Sequence, residues 1–410
     1  MRGRFRYLRQ FDRNLWGLSF GWFVAAVGFA AAMPFISIYF HSRYGMSVTE
    51  IGGFFGVLAV VRSLVQAVGG EISDRIQRRN LLIFAQVCRA LSFAALAITI
   101  YWDMGFWPVA AALLVQTVFG SIFHPAANAM VADILPPKQR LDGYALTRSA
   151  GNFGWAIGPA IGGFVAAESY GLLFIISAVM AVASAVVFWA FVQVPKTTVI
   201  QDRFRFKDLG TITRDPLLAR HCILTLMLYL VVAQLIVPFS VYSVEMVGIS
   251  QVQLGTLYTI NGLLVVALQI PVTRLLGRYS LTAQMALGGF IYAIGYGLVG
   301  SLVGYEWFIM AIVIVTMGEI AMSPPSLTLL SRLAPDGRMG RYMGIYGVFM
   351  AAGWSLGPLY GGLALDLFSD EPALAWAMIS SLAALSGIGY LISRKRFGEL
   401  ADPQTAEISE

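Results

Sequence analysis

The sequence is poor in the groups that soluble enzymes depend on. Acidic and basic residues make up 12% of its 410 positions, too few to cover a globule of that size in water, which excludes a soluble fold. Its two cysteines, Cys88 and Cys222, lie in apolar stretches and its histidines number three, so neither a disulfide framework nor a metal-ligand cluster is available. The H-E-x-x-H pattern and the phosphate-cradling loop that ends in Gly-Lys-Ser/Thr are both absent, which argues against a zinc hydrolase and a nucleotide hydrolase. No catalytic activity, cofactor or metal is expected.

Apolar residues fill the space instead. They make up 58% of the chain, and the mean hydropathy is +0.73. Taking apolar runs of roughly 20 residues as membrane spans, twelve are expected, over residues 14–40, 48–71, 80–102, 106–131, 143–167, 170–193, 217–243, 252–272, 280–303, 307–331, 342–367 and 373–393. The first run is too long for the apolar core of a secretory signal, so it reads as a retained span. The expected fold is an all-α polytopic membrane protein. Its parts are a cytoplasmic N-terminus (1–13), a six-helix bundle (14–193), a cytoplasmic linker (194–216), a second six-helix bundle (217–393) and a cytoplasmic tail (394–410).

The formal charge of +6 is a matter of topology. With both termini cytoplasmic, all but four of the 28 Lys and Arg fall in cytoplasmic segments; Arg43 faces the other side, and Arg62, Arg89 and Arg148 lie inside spans. This satisfies the positive-inside rule and removes the case for nucleic acid as a partner.

One stretch occurs twice. Residues 154–163 read G-W-A-I-G-P-A-I-G-G, and residues 353–362 read G-W-S-L-G-P-L-Y-G-G. The same offset pairs Pro136 with Pro335 and Pro125 with Pro324. A Gly-x-x-x-Gly-Pro run gives a flat helix surface for close approach and a proline that bends the helix, so Gly154, Gly158, Pro159 and Gly162, with Gly353, Gly357 and Pro358, are expected to pack or gate. Duplication on this scale points to two pseudo-symmetric halves, an architecture of transporters.

Residues 69–79 read G-G-E-I-S-D-R-I-Q-R-R and close the second span. This resembles the loop signature G-x-x-x-D-R-x-G-R-[RK] of the major facilitator superfamily at Gly70, Asp74, Arg75, Arg78 and Arg79, with Gln77 replacing a glycine. The resemblance implies that Asp74 caps a helix of the second half and that Arg75 or Arg79 reaches Asp133 at the end of the fourth span. The run at 154–163 is similar to the antiporter signature of the same superfamily. The fourth span departs from the drug:proton antiporter pattern, with Gln116 where an arginine is usual and Phe119 where a glutamine is usual.

Glu319 is the one acid near the middle of a span, beside Ser323-Pro324-Pro325. An ionised carboxylate there costs on the order of 3 kcal/mol, and a group so placed can carry a proton. Arg62 and Arg89 are also at depth. They either turn positive charge toward a substrate or satisfy helix-end carbonyls. Arg148 near the inner end of its span can snorkel. Gln66, Gln116, His124, Asn152, Gln234, Tyr258 and Asn261 lie in spans that the superfamily uses for its cavity, as does Gln269.

The resemblance covers residues 14–393, and the twelve-helix drug:proton antiporter branch is the nearest match. It implies a secondary active transporter, a proton-coupled exporter of drugs or amphiphilic small molecules working by alternating access. The alternatives are a lipid or lysolipid flippase, or an organic-anion transporter, of the same fold, and more remotely a membrane-embedded enzyme or sensor. The expected partners are an amphiphilic small molecule, protons and the bilayer. A monomer in the plasma (inner) membrane is expected.

Overall fold

The computed structural model describes residues 12–136, 139–193, 215–335 and 338–401, and among these the chain is helical with no strand. The helices are α1 (Arg13–Tyr44), α2 (Val48–Arg75), α3 (Arg78–Tyr101), α4 (Phe106–Ile134), α5 (Arg140–Glu168), α6 (Tyr170–Phe191), α7 (Pro216–Val232), α8 (Gln251–Leu276), α9 (Leu281–Ser301), α10 (Tyr305–Leu333), α11 (Met339–Leu367) and α12 (Pro372–Phe397). Eleven spans are long and apolar enough to cross a membrane among the described residues. The twelfth, α5, is as long but carries Arg148, Asn152 and a run of glycines.

Local chemistry sets the helix ends. Asp12 accepts from the Asn14 N–H at 2.6 Å to open α1, and Gly45, at φ 63°, closes it by donating to the His41 carbonyl. Asp215 accepts from the N–H groups of Leu217 and Leu218, both at 3.0 Å, with Pro216 as the first residue of α7. The seventh span is not the continuous helix that its apolar run predicts. After Val232 it passes into a 3₁₀ turn (Ala233–Leu235), one helical turn (Pro238–Val241) and a π-turn (Tyr242–Met246). Pro238 has no N–H for the Gln234 carbonyl and its ring crowds the preceding turn, so the helix breaks there.

The chain forms two compact units. One holds Met1–Gly45, Leu58–Ile200 and Ser250–Gly262; the other holds Met46–Val57, Gln201–Ile249 and Leu263–Glu410. The first turns of α2 therefore belong with the second unit and those of α8 with the first. Within the first unit α1 packs on α5 and α6, and α3 packs on α4 and α6. Within the second, α7 packs on α11 and α12, and α9 packs on α10 and α12. The pairing is the same once six helices are added to each number, as the duplicated sequence requires. The Ser184 hydroxyl of α6 donates to the Gly21 carbonyl of α1, and the Ser386 hydroxyl of α12 donates to the Leu224 carbonyl of α7, both at 2.8 Å.

Candidate functional site

The glycine runs make close helix contacts. A Cβ added at Gly154, Gly158 or Gly162 of α5 would meet α1 at Ala26 (2.5 Å), the Val27 carbonyl (2.7 Å) or the Ala31 carbonyl (2.1 Å). Gly353 and Gly357 of α11 stand in the same way against Tyr229 and Ala233 beside α7. Each run also has a second face. The Pro159 carbonyl lies against Gly255 of α8, and the Pro358 carbonyl against Gly52 of α2, where an added Cβ would sit 2.3 Å away in both cases. The backbone N–H groups of Val48 and Thr49, at the start of α2, donate to the Asp366 carboxylate of α11 at 3.3 and 2.9 Å. That carboxylate supplies acceptors that the first turn of a helix lacks.

Gln234 is expected on a substrate surface, but the structure buries it completely. Its amide nitrogen donates to the Leu230 and Gly357 carbonyls at 2.6 and 2.8 Å, and its oxygen lies over Gly361. It fills the small-residue groove of α11 rather than lining open space. Tyr258 and Gln116 are buried as well, at 4% and 2% exposure. Asn152 and Arg148 are exposed, while Gln66 and Asn261 are half-buried.

Of the expected partners of Asp133, Arg79 points elsewhere, while the Arg75 part of the expectation lies outside the described residues. Arg78, not Arg79, pairs with Asp133 and also donates to the Ala129 carbonyl at 3.1 Å. Arg79 turns to the carbonyls of Phe188 and Trp189 at the end of α6, where cations complement the helix dipole. Arg78 and Asp133 lie in the same unit, so their pair braces α3 against α4. The side chains of Gly70, Asp74 and Arg75 lie outside the described residues.

Two polar clusters occupy the depth of the spans. In the second unit, Pro324 leaves the Ile320 carbonyl without its helical donor, and the Gln269 side chain of α8 donates to it at 3.2 Å. Glu319 is next to that carbonyl, half-buried on α10 and within electrostatic reach of the buried Tyr292 on α9. Just beyond the prolines, His221 of α7 is fully buried. Its Nε2 is 3.1 Å from the Ser326 carbonyl, which can only accept, so that nitrogen carries a proton. Its Nδ1 is 3.0 Å from the Tyr390 hydroxyl of α12, which is 3.2 Å from Thr225. Tyr346 of α11 stacks on the imidazole and shares a 2.8 Å bond with the Ser326 hydroxyl. This network ties α7, α10, α11 and α12 together at the proline break. Sequence reasoning missed it, although a histidine inside an apolar run was the available signal.

The first unit carries cationic groups at comparable depth. Arg89 of α3 is 5% exposed, and its guanidinium lies 5.5 and 5.8 Å from the ring centres of Phe29 and Phe93. It donates to Gln86 Oε1 at 3.2 Å, while its Nε and the Gln86 amide nitrogen have no acceptor. Arg62 of α2 is accessible and near enough for its charge to act on Arg89 and on His124 of α4. His124 packs edge-on to Trp22 of α1, 5.4 Å between ring centres. Thus Arg62, Arg89 and His124 come together, while Glu319 belongs to the other unit.

Residues 17–21 have the G-x-S-x-G spacing of a hydrolase nucleophile turn, but they lie inside α1. The Ser19 hydroxyl there is buried and bonded to the Leu15 carbonyl at 2.8 Å. The strand-to-helix turn that exposes such a serine is missing.

Comparison with known proteins agrees with this architecture. An uncharacterized MFS-type transporter, YttB of Bacillus subtilis strain 168, is 27% identical over 375 residues, covering 90% of this chain and 91% of the relative. The multidrug resistance protein MdtH of Aeromonas hydrophila is 24% identical over 370 residues, covering 90% and 92%. Among solved structures, a POT family transporter in complex with 5-aminolevulinic acid superposes with a TM-score of 0.78 at 15% identity, over 95% of this chain and 97% of that one. The nucleoside transporter NupG does so with a TM-score of 0.74 at 11% identity, over 95% and 100%. At such identities these two likenesses concern the fold alone. The family model of the Major Facilitator Superfamily matches residues 18–358, and with the duplicated glycine runs and twelve helices this chain is a multi-pass membrane protein of that superfamily.

Proposed function

We propose that the protein is a proton-coupled exporter of amphiphilic small molecules, with Glu319 as the proton carrier. The observation that carries this reading is the setting of Glu319: a carboxyl group at mid-span, half-buried, one residue from a carbonyl that a proline frees. A carboxyl group at that depth can take up and release a proton, and a bent helix can carry it between two environments. The antiporter-like run at 154–163 and the multidrug resistance name of the MdtH relatives support export by exchange. Inward proton flow would supply roughly 2.3 kcal/mol per charge per 100 mV of membrane potential. In this reading the proton is the coupling ion, no other cofactor takes part, and a monomer works in the plasma membrane with both termini in the cytoplasm.

The deciding experiment uses proteoliposomes with an imposed proton gradient and a panel of cationic, neutral and anionic amphiphiles. Glu319→Gln is expected to bind substrate and to lose gradient-driven transport. Full proton-coupled transport by that variant removes Glu319 from the mechanism.

A further inference from the structure

The donors around Arg62 and Arg89 outnumber their acceptors. Arg89 is among the most buried cations in the chain, and its neighbours leave part of it unused: one N–H goes to Gln86, two rings cover the guanidinium, and Nε is buried without an acceptor. The Gln86 amide nitrogen is buried and equally without one. Among the described residues no carboxylate pairs with Arg62 or Arg89, whereas Arg43 pairs with Asp103 and Arg78 with Asp133.

Depth makes this imbalance costly. At about 1.5 Å per residue, Arg62 is about 20 Å along α2 from its start, and Arg89 about 16 Å along α3. Both therefore lie near the middle of a bilayer of about 30 Å. An unpaired arginine facing lipid there is expensive, and the Arg62 charge is close enough to act on Arg89 and His124 of the same unit. What the cluster lacks is an acceptor of opposite charge with oxygens to fill a guanidinium fork, as a carboxylate, sulfonate or phosphate has. Trp22, Phe29 and Phe93 supply aromatic surface beside it for an apolar body.

We infer that Arg62 and Arg89, with the Gln86 amide, form an oxyanion-binding subsite in the first unit, so that the cargo is an amphiphile whose head carries a carboxylate, sulfonate or phosphate. Arg62 is the accessible contact and Arg89 the buried one, held in orientation by Gln86 and the two phenylalanine rings. The inference rests on the exporter reading only in treating the bound molecule as cargo. The oxyanion can belong to a soluble organic acid or to a lipid headgroup, and the chemistry is shared.

The test is equilibrium binding to the purified protein in phosphatidylcholine nanodiscs, corrected for empty discs and with no proton gradient. 1-Pyrenebutyrate is compared with 1-pyrenebutanol, and lysophosphatidylglycerol with monoolein. The anionic member of at least one pair is expected to bind about tenfold tighter, the effect of one charge-assisted bond, and Arg62→Gln should abolish the difference while leaving the neutral member unchanged. Selectivity in the first pair identifies a soluble organic acid, and selectivity in the second a lipid headgroup; either supports the subsite. Arg62→Lys, which keeps the charge without the fork, should retain part of the preference and guards against misfolding of the glutamine variant. Equal binding within both pairs, or a preference that survives Arg62→Gln, overturns the subsite. Because no gradient is present, this result is separate from transport. Anion binding without gradient-driven export sinks the exporter and spares the subsite, and export of neutral or cationic amphiphiles without anion binding does the reverse.

Discussion

The Gln269 side-chain amide donates to the Ile320 backbone carbonyl, 3.2 Å away, which is the carbonyl that Pro324 deprives of its own helical partner. A residue of α8 thus repairs the break in α10 beside Glu319. Gln269→Leu should leave a buried carbonyl unsatisfied at a cost of about 1–3 kcal/mol. Pro324→Ala restores an N–H at that site, so the same glutamine substitution made in Pro324→Ala should cost little. Thermal unfolding of the four proteins in detergent reads the cycle, and an equal loss from Gln269→Leu in both backgrounds rules out the repair.

Gly158 and Gly357 occupy corresponding places in the two repeats, and each faces a carbonyl that an added methyl would approach, Val27 at 2.7 Å and Leu230 at 2.8 Å. Gly158→Ala and Gly357→Ala are each expected to destabilise by about 1–3 kcal/mol through overpacking between helices. Gly347→Ala, on the same helix as Gly357 with open space around it, is the control and should be neutral or stabilising. Melting temperatures in detergent compare the three. Similar behaviour of all three would mean that the glycine runs do not set helix separation.

The Arg78–Asp133 pair has side-chain exposures of only 10% and 6%. Removing one partner takes a charge-assisted bond from a buried group, so Arg78→Ala should cost about 1.5–3 kcal/mol. The double substitution Arg78→Ala with Asp133→Ala removes both charges and should be less damaging than the single one. Chemical denaturation, followed by tryptophan fluorescence, measures the difference. A double variant as unstable as the sum of the singles means that the two side chains act separately.

Much of the fold is legible without coordinates because a bilayer leaves little choice. Apolar runs of membrane length must become helices, since only helices and closed barrels satisfy their own backbone in lipid. Repetition of the glycine run at 154–163 and 353–362 then implies two related halves. Glycine spacing also foretells close helix approach, because a missing Cβ is visible in the sequence. Depth is legible too, as for Glu319, Arg62 and Arg89, since span boundaries set it.

Direction is not legible, and it decides the site. Gln234 and Gln269 are both amides in apolar spans; one fills the groove of α11 and the other completes the backbone of α10. Whether Arg78 or Arg79 meets Asp133 depends on how the start of α3 is turned, and of the two it is Arg78. His221 gains its partners from helices more than a hundred residues away in sequence. Composition, span count, duplication and depth were determined by the sequence, because the cost of burying polar groups in lipid acts residue by residue. Which buried polar groups are partnered was decided only by tertiary packing, because a hydrogen bond needs two groups brought within about 3 Å and nothing local to either one specifies the other.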